Sequence, residues 1–376
     1  MSVVGYDHVS NGGTGLTMDS EERACWLTLH LIHGVGPRLF AGLIEAFGSC
    51  RSVFQASSRD LECVRGLSPR LVQAIRRADL ETGRGELALA REHGAQVILS
   101  QDSHYPELLR QIQDSPPVLY VQGKMPAERQ PCLAVVGCRN ATSYGVRVAQ
   151  RLVECLVAEG VCIVSGMARG IDAEAHWAAI RADGTTVAVW GTGLLEVYPE
   201  SNRKLATALP KHGAVLSSFP MRAKAEKGSF PARNRLVSGL CSGVLVVEAG
   251  SRSGALITAH FALEQGREVF AVPGDIRSRA SVGTHRLIQQ GAKLVQCCRD
   301  ILEELPVAVG PGTQPVSSRL GRLERQVLDA VRGGCFTLDG ISDETGIAME
   351  HLLGIVTALE MRGAIERSGG LLCAAV

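Results

Sequence analysis

Aromatic side chains are scarce in this 376-residue chain, at 4 %. That is too few for stacking to be the main source of affinity for a flat ligand. Neither sign of charge is in excess: 39 Lys/Arg face 38 Asp/Glu, so the net charge announces no polyanionic partner. No apolar stretch approaches about 18 residues, which excludes a membrane-spanning helix. The opening residues, MSVVGYDHVSNGGTG, lack a basic start and an apolar run and read as no signal peptide. The chain is therefore expected in the cytoplasm. Twelve cysteines are present, yet none falls in a CxxC pair or a His/Cys cluster with metal spacing. The one close pair is Cys297-Cys298. Cys132, Cys155 and Cys162 lie inside apolar runs, where a reduced thiol behaves as a small hydrophobe, as suits a reducing compartment.

What the sequence does hold is a recurring unit. In CLAVVGCRNATSYG (132–145) a short apolar run ends in a glycine turn carrying an arginine, and a helix starts near Ser143. The unit returns where VCIVSG leads into MARGIDAEAH, TTVAVWG into TGLLEVYPESN, AVLSSF into a basic loop, GVLVVEAG into SRSGALITA, and EVFAVPG into DIRSRASVG. Apolar runs alternating with helical patterns predict an α/β fold, a doubly wound and mostly parallel sheet covered on both faces. Ligands of such sheets bind outside the carboxyl ends of the strands. Every Gly/Ser/Arg-rich turn just quoted belongs to that rim. Charge agrees in direction: 131–305 carries 20 Lys/Arg against 15 Asp/Glu, whereas 319–376 carries 6 against 8.

At this length two or three domains are expected. Residues 1–18 read as a disordered N-terminus and 19–85 as a helical domain. There Asp19-Ser20-Glu21-Glu22 caps a first helix, and His33-Gly34-Val35-Gly36-Pro37 turns into a second. A Gly-hydrophobic-Gly turn between helices is a helix-hairpin-helix pattern whose free amides can hold a phosphate; a weaker copy is Gly66-Leu67-Ser68. Only Arg38, Arg65 and Arg70 supply charge beside these turns, so a helical bundle packed on the core is the plainer reading. Residues 86–305 form the core, with two edge strands at Ala95–Leu99 and Pro117–Gly123. Pro306–Ser318 is a Pro/Gly/Ser linker. Residues 319–376 read as three helices and a small wing. The third helix carries Glu350, Glu360, Arg362 and His351, a poor face for a duplex and better suited to protein interaction.

On the rim, Gly137-Cys138-Arg139 brings a guanidinium beside helix-start amides, a place that suits a phosphate. Ser165 to Asp172 is a second glycine turn; Asp172 is expected to cap its own helix and His176 to pack on the sheet. Tyr198 to Lys204 adds an aromatic and two cations. Phe230 to Arg235 follows a loop carrying Arg222, Lys224 and Lys227. Ser251 to Thr258 opens a helix with hydroxyls and amides. Each of the last three stretches reads equally well as a solvated loop, and Tyr198, Phe219 and Phe230 as core. No GxGxxG follows the first core run and no acidic residue ends the second, so a dinucleotide is not expected. GxxxxGK[ST] is absent, and no Ser-His-Asp set can be assigned. No cofactor and no metal are expected, and a binding protein fits better than an enzyme.

These residues support a resemblance. VVGCRNATSYG, SGMARGIDAEAH, GTGLLEVYPESNRKL, FPARNRLVSGLCSGVLVVEA, SGALITAHFALEQGREVFAVPG and GTHRLIQQGAKLV resemble, in order, the motifs of the DNA-processing protein A (DprA, or Smf) family over about 133–295. The resemblance implies an extended Rossmann-like core, a helical N-terminal domain of hairpin or SAM type and a C-terminal winged-helix-like domain. It also implies a homodimer, binding of incoming single-stranded DNA in natural transformation, and handover to the recombinase RecA. Arg139 falls on the arginine of the family's VGSR motif, which binds the DNA backbone, with Cys138 in place of its serine. Glu200 stands where the family often has lysine after Tyr-Pro, and Ser218 where it commonly has glutamate. Gly137, Arg139, Ser165, Gly166, Arg169, Arg203, Lys204, Arg233, Asn234, Arg235, Ser253, Gly254 and Thr258 are the expected DNA contacts. His285, Ile288 and Leu294 are the expected dimer interface. Two other readings stay open. One is a nucleotide phosphoribohydrolase-like enzyme using Glu248 or Asp172 as acid/base, although the 250–258 stretch lacks the glutamate of a PGGxGTxxE signature. The other is a scaffold for recombination proteins that does not touch DNA.

Overall fold

Short apolar runs, four to five residues each and nearly all buried, build the parallel heart of a nine-stranded sheet. They are β3 (Cys132–Val136), β4 (Cys162–Ser165), β5 (Thr186–Val189), β6 (Gly213–Ser217), β7 (Gly243–Val246) and β8 (Glu268–Ala271). β1 (Ala95–Leu99) and β2 (Val118–Gly123) extend one side antiparallel, and β9 (Lys293–Leu294) ends the other. The strand order is β1-β2-β6-β5-β4-β3-β7-β8-β9. The computed structural model describes residues 19–305, 321–333, 335–361, 364–368 and 371–374. The segments read as a disordered N-terminus (1–18) and a linker (306–318) lie outside them.

Side-chain alternation sends the strands' residues into two cores. Leu119, Val121, Val187, Val189 and Leu216 pack under helices Ser229–Gly239 and Gly254–Glu264. Val118, Tyr120, Ala188 and Val215 face the N-terminal helices, meeting Trp26, Leu29, Phe40 and Leu43. The helical region thus covers one face of the same sheet, and the boundary expected at 85/86 falls inside helix Leu80–Glu92. That helix approaches helix Ser20–Leu31 closely at Gly83, where a Cβ would stand 2.1 Å from the Ala24 carbonyl oxygen. Asp19 caps the first helix by accepting from Glu21 N. The two hairpin turns pack on each other reciprocally: Leu71 lies against Gly34 and Leu39 against Gly66. Arg38 is exposed but ion-paired to Asp114 at 2.5 Å, leaving Arg65 and Arg70 as the cations there without an ion pair among the described residues.

Contacts divide the chain into Met1–Pro306 and Val307–Val376. The second unit has helices Arg322–Arg332, Leu338–Thr345 and Met349–Met361 and the hairpin β10 (Ile365–Ser368) to β11 (Leu371–Ala374), a winged-helix arrangement. Its core includes Val327, Ile341, Leu352, Val356, Leu359 and Leu372, while Leu353 is 46 % exposed.

One cysteine is corrected. Cys155, read as a reduced thiol, is joined to Cys298 in a disulfide between helices Ser143–Ala158 and Cys298–Leu302. A separation of 143 residues hides such a pair from any reading by spacing.

Two stability predictions follow from this packing. In an exposed helix interior Gly→Ala stabilises by about 1 kcal/mol. Gly85→Ala, with nothing within 4 Å of its Cβ, should raise the melting temperature. Gly83→Ala should lower it, because overpacking at the Ala24 contact costs about 1–3 kcal/mol. Equal shifts for the two variants would contradict the close approach. The second prediction concerns acid. Burial holds His30 down at about 4, and burial first, then Arg233, holds His176 down at about 3, both from 6.5. The folded state therefore binds fewer protons than the unfolded one. This stability is complete above pH 6.5 and is lost as pH falls through that window toward the folded values. By pH 5 each histidine should remove about 2 kcal/mol. Trp26, Trp177 and Trp190 all lie in the first unit, so tryptophan fluorescence in urea reads it alone. His176→Asn should flatten the slope between pH 7 and 5; an unchanged slope would contradict the burial of a neutral ring.

Candidate nucleic-acid interface

Because β3 to β8 run parallel, their following loops emerge along one border. Taken in sheet order, the cations of these loops are Arg222, Lys224 and Lys227 after β6, Arg203 and Lys204 after β5, and Arg169 after β4. Arg139 after β3, Arg252 after β7, and Arg277 and Arg279 after β8 complete the series. All are exposed. Six adjacent strands at ~4.8 Å spacing make the border about 24 Å long. Arg203 is held by Glu200 at 2.6 Å and Arg277 by Asp275 at 2.8 Å. Among the described residues the other eight make no ion pair, so their charge is turned outward.

A cavity of about 290 Å³ opens within this border over β3, β4 and β5. Arg139, Gly166 to Arg169, Gly191, Thr192, Tyr198, Ser201, Phe230 and Arg233 are among its lining. Tyr198 and Phe230 meet with ring centroids 5.3 Å apart and planes at 44°. The Arg139 guanidinium lies 5.9 Å from the Phe230 centroid, a cation–π placement that keeps it beside the cavity mouth. Met167 takes a left-handed φ of 56°, and Gly170 a φ of 80°. A Cβ on Gly170 would stand 2.2 Å from the Cys138 carbonyl oxygen, so glycine is required where the β3 and β4 loops touch.

Arg233 is 5 % exposed and forms the floor rather than the surface. Its Nη1 donates to the Gly166 carbonyl and, at 2.7 Å, to that of Val189, while Nε has no partner among the described residues. Burial brings it down to about 10, with Asp172 opposing that shift and Arg139 adding to it. It therefore remains a cation at neutral pH. Asp172 is buried beside it, accepts from Ala168 N at 3.3 Å, and is pushed up by burial against the pull of Arg233. His176 packs against the sheet with Nδ1 2.7 Å from Thr186 Oγ1.

Several expected contacts are relocated by the fold. Ser165 is fully buried and donates to the Val135 carbonyl at 2.6 Å, tying β4 to β3. Thr258 is 2 % exposed. Arg235 is bound to Asp114 at 2.6 Å, the carboxylate that also holds Arg38. Asn234 donates to the Gly254 carbonyl at 3.4 Å, and Ser253 caps its helix by accepting from Ala255 N. Gly137 is packed against Ile171 and Glu248. Phe219 is outside the cavity lining. Gly166, Arg139 and Arg169 do meet at the cavity, and Lys204 stands exposed two residues from Asn202. His285 Nε2 lies 3.0 Å from the Gly274 carbonyl oxygen, Ile288 is partly buried against the core, and Leu294 is 41 % exposed on edge strand β9.

Arg252, Arg277 and Arg279 were not among the expected contacts. The same rule that singled out Arg139, a cation in the turn after an apolar run, would have found them.

The helix start beside Arg139 differs most from expectation. Its N-cap is already bound by an anion: Glu248 accepts from Thr142 N at 2.9 Å and from Thr142 Oγ1 at 2.5 Å. The phosphate place expected there is occupied by a carboxylate of the chain itself.

Comparison with known proteins agrees with the fold. The family described as DNA recombination-mediator protein A matches residues 96–306, and the DprA winged helix domain matches 311–370. Protein Smf of Synechocystis is 37 % identical over 295 residues, covering 77 % of this chain and 74 % of its own. DNA processing protein DprA of Bacillus subtilis is 44 % identical over 230 residues, 61 % and 77 % of the two chains. The solved structure of DprA from Streptococcus pneumoniae superposes with a TM-score of 0.66 at 33 % identity, over 76 % of this chain and 98 % of that one. A Helicobacter pylori DprA structure, described for its single-stranded DNA binding mode, has a TM-score of 0.50 at 27 % identity, over 56 % and 94 %. With a family match across more than half its length, and relatives this similar over most of it, the chain belongs to the DNA-processing protein A family.

Proposed function

We propose that this protein binds single-stranded DNA along the carboxyl border of its sheet without strong sequence preference. In natural transformation it protects incoming DNA and helps to load RecA, acting in the cytoplasm as a homodimer and without catalysis. The observation that carries the DNA reading is the row of exposed cations, eight of the ten without an ion pair among the described residues, running in sheet order past the cavity of Arg139, Tyr198 and Phe230. Phosphates of an unpaired strand meet the cations, and a base reaches the tilted ring pair. Neither partner reads a base edge, so sequence preference is weak and salt dependence strong.

RecA handover and the dimer are taken from the family. Leu294, exposed on an unpaired sheet edge, supports a partner there. For the second unit a protein-interaction role fits its carboxylates better than duplex binding. The phosphoribohydrolase reading needs Glu248 or Asp172 free to move a proton, and both are committed to backbone amides.

Arg139→Ala should weaken binding of an oligothymidylate about tenfold or more in a folded protein. It should also lower the slope of log Kd against log salt by about 0.7. Fluorescence anisotropy across a salt series measures both; unchanged affinity would remove Arg139 from the site. A chain ending at Leu305 should keep its single-strand affinity within about threefold. A larger loss would give the winged-helix unit a direct DNA role.

A further inference from the structure

Glu248 is 3 % exposed and lies two residues past the end of β7. Among the described residues it has no cationic partner; its carboxylate oxygens take only the Thr142 amide and hydroxyl. Thr142 is the N-cap of helix Ser143–Ala158, and its Oγ1 accepts from Gly145 N at 3.1 Å. The carboxylate is pressed onto that first turn. A Cβ on Gly145 would stand 2.3 Å from Glu248 Cδ and 2.4 Å from Oε2.

The place is the topological switch point of the sheet, since β4 and β7 flank β3 on opposite sides. In sheets of this kind the crevice there, with a helix N-terminus facing it, is where a ligand's phosphate is held. Here the chain supplies its own anion. The loop that carries Arg139 is then fastened at both ends. Ile171 N donates to the Cys138 carbonyl at 3.2 Å, and Thr142 is bound to Glu248. Arg139 lies between the two fastenings, facing the cavity beside the crevice rather than the crevice itself.

We propose that Glu248 is a positioning residue of the strand site: by occupying the anion seat of helix Ser143–Ala158 it fixes the 137–142 loop and sets Arg139 at the cavity mouth. This deepens the proposed function and rests on it.

Glu248→Ala removes a group that acetate matches in shape and charge, so rescue by a small anion is the test. Full-length protein is compared in sodium acetate and sodium chloride at equal ionic strength. In chloride the variant should bind an oligothymidylate about tenfold more weakly, with the salt slope down by about 0.7 as for loss of Arg139. Acetate should restore affinity to within about threefold of the unaltered protein and raise the variant's melting temperature by about 3 °C more than the unaltered protein's. Glu248→Gln, which keeps the shape, should stay within about threefold. If Glu248→Ala does not fold, Gly145→Ala serves: its Cβ displaces the carboxylate, and it should weaken binding as much without rescue by acetate. Affinity unchanged in Glu248→Ala, or equally weak in both salts, would overturn the assignment. If the unaltered protein binds no oligonucleotide, the proposed function falls, and the melting response to acetate still decides the role of Glu248.

Discussion

Every parallel strand in this sheet ends at the same border, and that constraint governs the rest. A strand's last carbonyls and the next helix's first amides must find partners at its carboxyl end, so polar and cationic loops collect there. With β3 in the middle and β4 and β7 on its two sides, the border also contains one crevice. At that crevice Glu248 is bound to Thr142, and the open cavity lies beside it, over β3, β4 and β5. A mononucleotide offers one phosphate group and wants the crevice. A polynucleotide offers a row of them and can use the border.

Charge is arranged in the same sense. Arg139, Arg169, Lys204, Arg222, Lys224, Lys227, Arg252 and Arg279 stand exposed and unpaired among the described residues; of the carboxylates on the same loops, Glu200 and Asp275 pair with Arg203 and Arg277, Glu196 and Glu226 are exposed, and Glu248 and Asp172 are buried. A chain of net charge +1 thus presents a cationic face without being a cationic protein. Surface cations of this kind steer a polyanion at long range and lose strength with salt.

Much of this was legible in the residues themselves. Continuous apolar runs gave the parallel strands, two further strand-like stretches gave β1 and β2, and the glycine-and-arginine turns located the border. What could not be read was which polar side chains face inward. Ser165 and Thr258 sit in the same local patterns as true surface residues, yet tertiary packing buries both. Arg233 and Arg235 are two positions apart on one helix; one became the floor of the cavity and the other the partner of Asp114. Glu248 meets Thr142 across 106 residues, and Cys155 meets Cys298 across 143. Periodicity reports which face of an element is apolar. It does not report which distant element arrives to satisfy a polar group.

Arg233 carries the last step. A guanidinium beneath the cavity, satisfied by two backbone carbonyls, keeps its charge at neutral pH although burial lowers its affinity for the proton. Mobile ions cannot surround it as they surround Arg169 or Lys204, so its field in the cavity is screened far less. The site then has two electrostatic layers. Exposed cations supply a field that salt screens, while the buried one gives the cavity a positive floor that salt screens far less. Asp172 tempers that floor from below: burial pushes its carboxyl up, and Arg233 pulls it back down.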